Sequence, residues 1–337
     1  MRFANPRSRP TIPHMRVPET GHEAVLLNEV IELLSPSEGK IIVDCTVGRG
    51  GHSLELAQRL GKSGMLVGLD VDPANLEYAR ERLKDARAKV RLFHANFAEL
   101  GDVLREVTVG PAPPDVSGTA GPTLPKFQVS GVDGILADLG VSTNQLFDEK
   151  YGLSFSTPMP LDMRLDPRIE QSAADAVNEM KEKELADLLF NLAQEHYSRQ
   201  VARKIVEARK ISPISTTERL SDIVRSAIPK RGGAPQKIDP ATRTFLALRM
   251  HVNQELQNLS VLLEAGPKFL KPGGTMCVIS FQSMEDRLVK QAFRSAEQTG
   301  QVQTLTKKPV TPAEDELAQN PRSRSAKLRA IRKLAVG

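Results

Sequence analysis

Four short stretches carry residues whose types and spacing could do chemistry. The first is Asp44-Cys-Thr-Val-Gly-Arg-Gly-Gly-His52, a glycine-rich turn between an apolar run and a helical pattern. Such a turn aims backbone N–H groups at a nucleotide-like ligand. The second is Asp70, about twenty residues beyond the turn, where ribose hydroxyls need an acceptor. The third is His94-Ala-Asn-Phe97, whose Phe97 can face an adenine. The fourth is Asp138-Leu-Gly-Val-Ser-Thr-Asn-Gln145. Ser53 stands where a dinucleotide fingerprint wants its third glycine, which disfavours a pyrophosphate ligand and a nicotinamide-dependent oxidoreductase. A shorter nucleoside cofactor such as S-adenosylmethionine fits better, with Asp138 nearest the transferable methyl group. A strand-end acid is equally a helix cap or turn residue. It is the four in order that describe an adenosine pocket.

The elements that must position these residues alternate. Strands are expected over 40–47, 64–70, 90–94, 132–139 and 274–281, with helices over 53–60 and 73–84. Ser283 is expected to cap a helix over 284–293, with Asp286 as its capping-box partner. This βαβα order calls for a mainly parallel, doubly wound α/β sheet, which binds ligands at the C-terminal ends of its strands. Two segments interrupt it. Residues 108–130 are rich in Pro and Gly and read as a surface loop or insertion. From about Ser172 to Asn258 the apolar spacing turns helical, so a helical subdomain splits the sheet in sequence.

The chain has 337 residues and a formal charge of +5, unevenly placed. Arg2, Arg7, Arg9 and Arg16 face only Glu19 near the start. Arg322, Arg324, Lys327, Arg329, Arg332 and Lys333 near the end face no acid. Basic ends on a balanced body point to a polyanionic partner, with solvated tails as the plain alternative. No apolar stretch is long enough to span a bilayer, and no secretory signal core is present, although an organelle transit peptide stays open. Cys45 and Cys277, the only two cysteines, lie in expected strands and offer neither a disulfide framework nor a metal cluster. They read as core residues in a reducing, cytoplasmic compartment.

Longer motifs then make the sequence recognisable. Asp-x-Thr-x-Gly-Arg-Gly-Gly-His-Ser (44–53), Asp-Leu-Gly-Val-Ser (138–142) and Gly-Leu-Ser-Phe with Pro-Leu-Asp-Met-Arg-Leu-Asp-Pro (152–167) resemble the RsmH/MraW family of 16S ribosomal RNA cytosine-N4 methyltransferases. So do Pro-Ala-Thr-Arg-Thr-Phe (240–245), Ala-Leu-Arg-x-x-Val-Asn-x-Glu-Leu (247–256), Glu-Asp-Arg (285–287) and Asn-Pro-Arg-Ser-Arg-Ser-Ala-Lys-Leu-Arg (320–329). The resemblance implies a Rossmann-like class I S-adenosylmethionine-dependent methyltransferase sheet with an inserted helical subdomain. It places Gly50, Gly51, His52, Asp70, Phe97, Asp138 and Gln145 at cofactor-contacting positions, and it suggests an assembled small ribosomal subunit as substrate. The expected organisation is a basic tail over 1–21, a methyltransferase domain over 22–145 and 259–337 ending in a basic tail over 320–337, and a substrate-recognition subdomain over 146–258. Three departures stand out. Asp239 and Gln282 replace the family's usual histidines, and Ser142-Thr-Asn-Gln145 replaces Ser-Ser-Pro-Gln. Gln282 argues that an imidazole at that point is not an indispensable proton carrier.

On the helical segment, Thr242, Arg249 and Asn253 share one face, which serves either buried structural hydrogen bonding or RNA contact. Arg164, in Leu161-Asp-Met-Arg164, is either a satisfied ion pair or part of the pocket wall. Arg164, Arg243, Arg249, Asn253, Arg324, Lys327 and Arg329 are the expected RNA-binding residues, the last three as phosphate contacts. The implied reaction needs proximity to an exocyclic amine and an acceptor for its proton, for which Asp138 or a backbone carbonyl is the expectation. The absence of an Asp/Asn/Ser-Pro-Pro-aromatic motif after residue 138 counts against a DNA enzyme. A non-catalytic RNA-binding assembly factor and a small-molecule methyltransferase are the competing readings. A homodimer is compatible with the sequence, and no metal is called for.

Overall fold

In a computed structural model, which describes residues 24–109, 131–229 and 239–335, the expected doubly wound sheet is present. The N-terminal basic stretch and almost all of the Pro/Gly-rich segment lie outside the described residues. The strands are β1 (Ile41–Asp44), β2 (Met65–Asp70), β3 (Lys89–His94), β4 (Val132–Asp138), β5 (Leu270–Ser280), β6 (Val302–Thr304) and β7 (Lys327–Lys333). They lie in the order β3-β2-β1-β4-β5-β7-β6. The pairs among β1 to β5 are parallel, and β7 runs antiparallel between β5 and β6.

The central strands read as continuous apolar runs because both of their faces are covered. Val43, Val67, Ile135 and Val278 enter one core, shared with the helices Leu100–Val109 and Glu255–Phe269. Their neighbours Ile42, Leu66, Leu136 and Cys277 enter the opposite core with Leu56, Ala57 and Leu60 of the helix Gly51–Leu60. Alternation across the pleat thus builds two layers from one sheet. Both cysteines are buried here, and burial pushes their thiols far above the usual range.

A third core belongs to the segment between β4 and β5. Helices Ala173–Glu179, Glu182–Ala193, Ser198–Arg209, Thr217–Ala227 and Ala241–Val252 bury Leu185, Leu189, Val201, Ile205 and Leu248 together. The helical character expected over 146–258 is therefore present, but the helix Glu255–Phe269 already packs on the sheet through Leu259, Leu262 and Leu263.

Two expectations are corrected. The described part of the segment 320–337, residues 320–335, is not a tail. Residues 327–332 pair with Thr275–Ser280 along β5, and Leu328, Ala330 and Ile331 are fully buried. The helix after β5 spans Ser283–Gln298 and is capped at Gln282, one residue earlier than expected. Glu285 closes that cap, its Oε2 accepting from Phe281 N and Gln282 N at 2.9 Å each. Asp286 instead faces β7 and pairs with Arg329 at 2.6 Å.

Candidate active site

The strand order reverses between β1 and β4, the switch point at which open α/β sheets bind ligands. A cavity of about 310 Å³ opens there, over the C-terminal ends of β1, β2 and β4. Gly48, Gly51, His52, Asp70, Phe97, Asp138 and Gln145 all line it. Gly50 does not. It acts from behind, with φ +79° at the N-cap of the helix Gly51–Leu60, a left-handed turn that only glycine adopts without strain.

The carboxylates are built in layers. Asp44, at the end of β1, is buried and accepts from Ser53 Oγ at 2.6 Å and Thr46 N at 3.1 Å. Desolvation still pushes it up to about 6. Asp70 braces the glycine turn: Oδ2 accepts from Gly48 N at 2.7 Å and Oδ1 from Asp72 N at 2.9 Å. Burial raises it as well, to about 6. Each carboxylate has about four lone-pair positions, so Asp70 retains acceptor capacity toward the cavity that it lines.

Asp138 lies at the centre of this layer. Its backbone N–H donates to Thr46 Oγ1 at 2.7 Å, but side-chain Oδ1 is buried with no hydrogen-bond partner. Desolvation, then the charges of Asp44 and Glu285, hold its carboxyl well above the usual range. His52 gives no relief. Its Nε2 lies 2.9 Å from Val25 O, so Nε2 carries the proton and the bare Nδ1 faces Asp138 Oδ2 at 3.7 Å. Burial lowers this imidazole to about 4 and keeps it neutral.

The helical segment closes the opposite wall with Leu165, Asp166, Ile169, Arg249 and Asn253. Arg249 donates to both oxygens of Glu255, at 2.7 and 2.9 Å, beside the buried Glu285. Asn253 is a buried clamp on the loop before this wall. It accepts from Leu165 N at 2.9 Å and donates to Met163 O at 2.7 Å, where Met163 sits at φ +65°. Arg164 pairs through Nε and Nη2 with Asp162, at 2.7 and 2.8 Å.

The expected RNA-binding set therefore separates. Arg249, Asn253 and Arg329 are inward-facing and partnered. Lys327 approaches Asp286 at 3.5 Å, and Arg164 is a satisfied ion pair. Only Arg243 and Arg324 are exposed without a carboxylate partner among the described residues. For Lys327 and Arg329 the reason is topological, since Asp286, 41 and 43 residues earlier, arrives beside them on folding, whereas Arg164 and Arg249 find their acids locally.

Several residues of the site have no counterpart in the sequence reading. Asp72 is buried, caps the helix Pro73–Leu83 through Ala74 N, and accepts from Gln145 Nε2 at 2.9 Å and from the Tyr151 hydroxyl. Gln145 is thus tied to β2 and, through Ser142 N, to its own cap. The Asp-Pro pair at 72–73 was the available signal for the cap. Glu255 and Glu285 stand in motifs quoted above but carry no role there, and among the described residues no cluster could hold a metal ion.

The cavity suits a cationic nucleoside cofactor. An orphaned buried carboxylate oxygen, with further carboxylates behind it, leaves the floor short of positive charge. The strand order, the switch-point cavity and the glycine turn define a Rossmann-like class I S-adenosylmethionine-dependent methyltransferase. The sequence profile of the MraW methylase family matches residues 19–334, and the chain belongs to that family. It is 42% identical over 328 residues to the ribosomal RNA small subunit methyltransferase H of Syntrophotalea carbinolica, covering 93% of this chain and 98% of that one. It is 43% identical over 311 residues to the enzyme of the same name from Thermotoga neapolitana, covering 92% and 95%. Among solved structures, TrmN from Thermus thermophilus aligns over 92% of this chain and 48% of its own at 13% identity and a TM-score of 0.39, a likeness too loose to build on.

Proposed function

We propose that this protein transfers the methyl group of S-adenosylmethionine to the exocyclic N4 of a cytosine in 16S ribosomal RNA, within the small ribosomal subunit and in the cytoplasm. Family membership and the name shared by its relatives support the substrate. The observation that carries the chemistry is Asp138 Oδ1, buried at the cavity floor with no partner. Among the described residues no helix is long and apolar enough to cross a membrane.

When bound, the cofactor supplies an electrophilic methyl carbon on a cationic sulfur. Gly48, Gly51, Asp70, Phe97 and Gln145 would hold its nucleoside and amino-acid portions, since they line the cavity at the ends of β1, β2, β3 and β4. The amine N4 of cytosine is a poor nucleophile because its lone pair is delocalised into the ring. Asp138 Oδ1 accepts the N4–H, which localises that lone pair, and then takes the departing proton. The raised affinity of this carboxyl for a proton suits it to that task. His52, neutral and fixed on Val25 O, limits the positions open to the carboxylate. Gln282 lines the cavity at the family's histidine position, and its amide, unlike an imidazole, is no proton carrier near neutral pH. Taking the base out of its stack costs a few kcal/mol, which contacts to the RNA backbone must offset.

The test is transfer of labelled methyl to small ribosomal subunits that lack this modification, followed by nucleoside mass spectrometry. Label in N4-methylcytidine or its 2′-O-methylated form, lost in Asp138→Ala, is expected. Label in another nucleoside overturns the target. Absence of label with the cofactor still bound would favour a non-catalytic assembly factor.

A further inference from the structure

Several arginines of the helical segment and of β7 face a carboxylate. Arg164 faces Asp162, Arg249 faces Glu255 and Arg329 faces Asp286. The more exposed Arg168 and Arg225 do the same, with Asp166 and Asp239. Two arginines at the cavity mouth face none. Arg322 lines the cavity, donates to Thr143 Oγ1 at 2.8 Å and lies over the Phe147 ring with its guanidinium carbon 4.9 Å from the centroid. Arg49, in the glycine turn, lines it too and lies over the Tyr78 ring at 4.6 Å. With the Asn144 amide turned so that its oxygen faces the guanidinium, that oxygen accepts from Arg49 Nε at 2.7 Å and Nη1 at 3.0 Å.

The two guanidinium groups, 273 residues apart in the chain, are therefore anchored on adjacent residues, Thr143 and Asn144, of one short helix (Thr143–Phe147). Neither has a carboxylate partner among the described residues. Each is oriented by an aromatic ring and one neutral oxygen, which leaves N–H donors free. Partial burial without a counter-charge also holds Arg322 below the usual guanidinium range. The anchors coincide with a departure noted in the sequence, Thr143-Asn144 in place of Ser-Pro. A proline there could not accept from Arg49.

We infer that Arg49 and Arg322, held by the Thr143–Asn144 step, form a phosphate clamp at the cavity mouth that grips the RNA backbone beside the base entering the site. A planar guanidinium with its fork exposed matches a phosphodiester, and stacking on Phe147 and Tyr78 pre-orients both forks. This inference rests on the RNA reading proposed above. The other anion that could reach these groups is the cofactor's own carboxylate, and the experiment separates the two.

Binding of a short single-stranded, cytosine-containing RNA is measured as a function of salt for wild type, Arg322→Ala, Arg322→Lys, Arg49→Ala and Asn144→Ala. Binding of S-adenosylmethionine is measured on the same preparations. For each alanine change at an arginine, the slope of log K against log salt should fall by about 0.7, one single-strand phosphate contact, while cofactor affinity stays within about twofold. Arg322→Lys keeps the charge, so it should keep the slope while losing affinity. Asn144→Ala should weaken RNA binding through Arg49 and keep the slope. Unchanged slopes in both arginine-to-alanine variants, with wild type binding RNA, overturn the clamp. Lost cofactor affinity with an unchanged RNA slope assigns the arginines to the cofactor carboxylate and overturns it as well. If wild type shows no salt-dependent RNA binding, it is the RNA reading that fails. Arg322→Lys and Asn144→Ala, which remove no charge, carry the comparison should an alanine variant fold poorly.

Discussion

Asn253 offers a sharp test of how the loop around Met163–Leu165 is fastened to the helix Ala241–Val252. Its side chain accepts from Leu165 N at 2.9 Å and donates to Met163 O at 2.7 Å and Arg249 O at 2.9 Å. Asn253→Ala strands the buried Leu165 N–H and Met163 carbonyl, whereas Arg249 O keeps the Asn253 backbone N–H as donor at 3.1 Å. At about 1–3 kcal/mol for each of the two stranded groups, the combined loss is about 2–6 kcal/mol. Met163 is held at φ +65°, so its carbonyl has little freedom to turn toward another donor. Asn253→Asp sharpens the argument. It retains the acceptor for Leu165 but sets a carboxylate oxygen against two carbonyls, so at neutral pH it should be worse than alanine. Denaturant unfolding of the three proteins measures both differences. A loss below about 0.5 kcal/mol for Asn253→Ala, the range of an indifferent surface change, would refute the clamp and return Asn253 to the RNA-contact reading.

Three further outcomes are expected. Glu285→Gln keeps an oxygen for Phe281 N and Gln282 N but removes a charge that raises Asp138, so the acid limb of the pH–rate profile should move to lower pH; an unmoved limb would detach that limb from Asp138. Asp138→Asn should abolish transfer yet stabilise the fold. The folded state binds the Asp138 proton more tightly than the unfolded chain, so the wild type loses stability as pH rises from the ordinary carboxylate range through the raised value, and the gain should be larger at pH 8 than at pH 4. Deleting residues 320–337 removes β7 and should abolish cooperative unfolding by circular dichroism, whereas Arg324→Ala, on an exposed side chain, should stay within about 0.5 kcal/mol of wild type.

The deletion result bears on what the sequence could reveal. In 327–333 the bases dominate the reading, and a basic tail with phosphate contacts follows naturally. Yet Ala326, Leu328 and Ala330 recur with period two, the spacing of a strand with one face buried. The signal was short and Arg329 masked it. Arg329 is 7% exposed because Asp286, 43 residues earlier, stands 2.6 Å away. An ion pair across that separation leaves no local trace, so charge alone cannot separate a tail from a strand. The parallel strands were legible because their apolar runs and glycine turn are local. The Ser283 cap failed by one residue because Ser-x-x-Asp and Gln-x-x-Glu overlap there, and the choice falls to which acid faces the sheet's far strand.

At the site the same division holds, and it bears on mechanism. Gly51, His52, Asp70, Phe97, Asp138 and Gln145 were legible because each follows a strand end, and folding brings them to one cavity. What the sequence could not show is that Asp70 is already engaged by Gly48 and Asp72, or that Glu285 and Asp44 press on Asp138. Those neighbours change the meaning of the residue. A lone strand-end aspartate is ionised at neutral pH and a weak base. Crowded by carboxylates, desolvated and faced by a neutral imidazole, it holds a proton far more readily, and a cationic ligand beside it is what favours its ionised form. Arg249 does not fill that role, because Glu255 engages its Nε and Nη2. The positive charge that this floor lacks must come from outside the chain. A sulfonium cofactor would supply it when bound, and the carboxylates of this floor would hold that cation better than a neutral thioether.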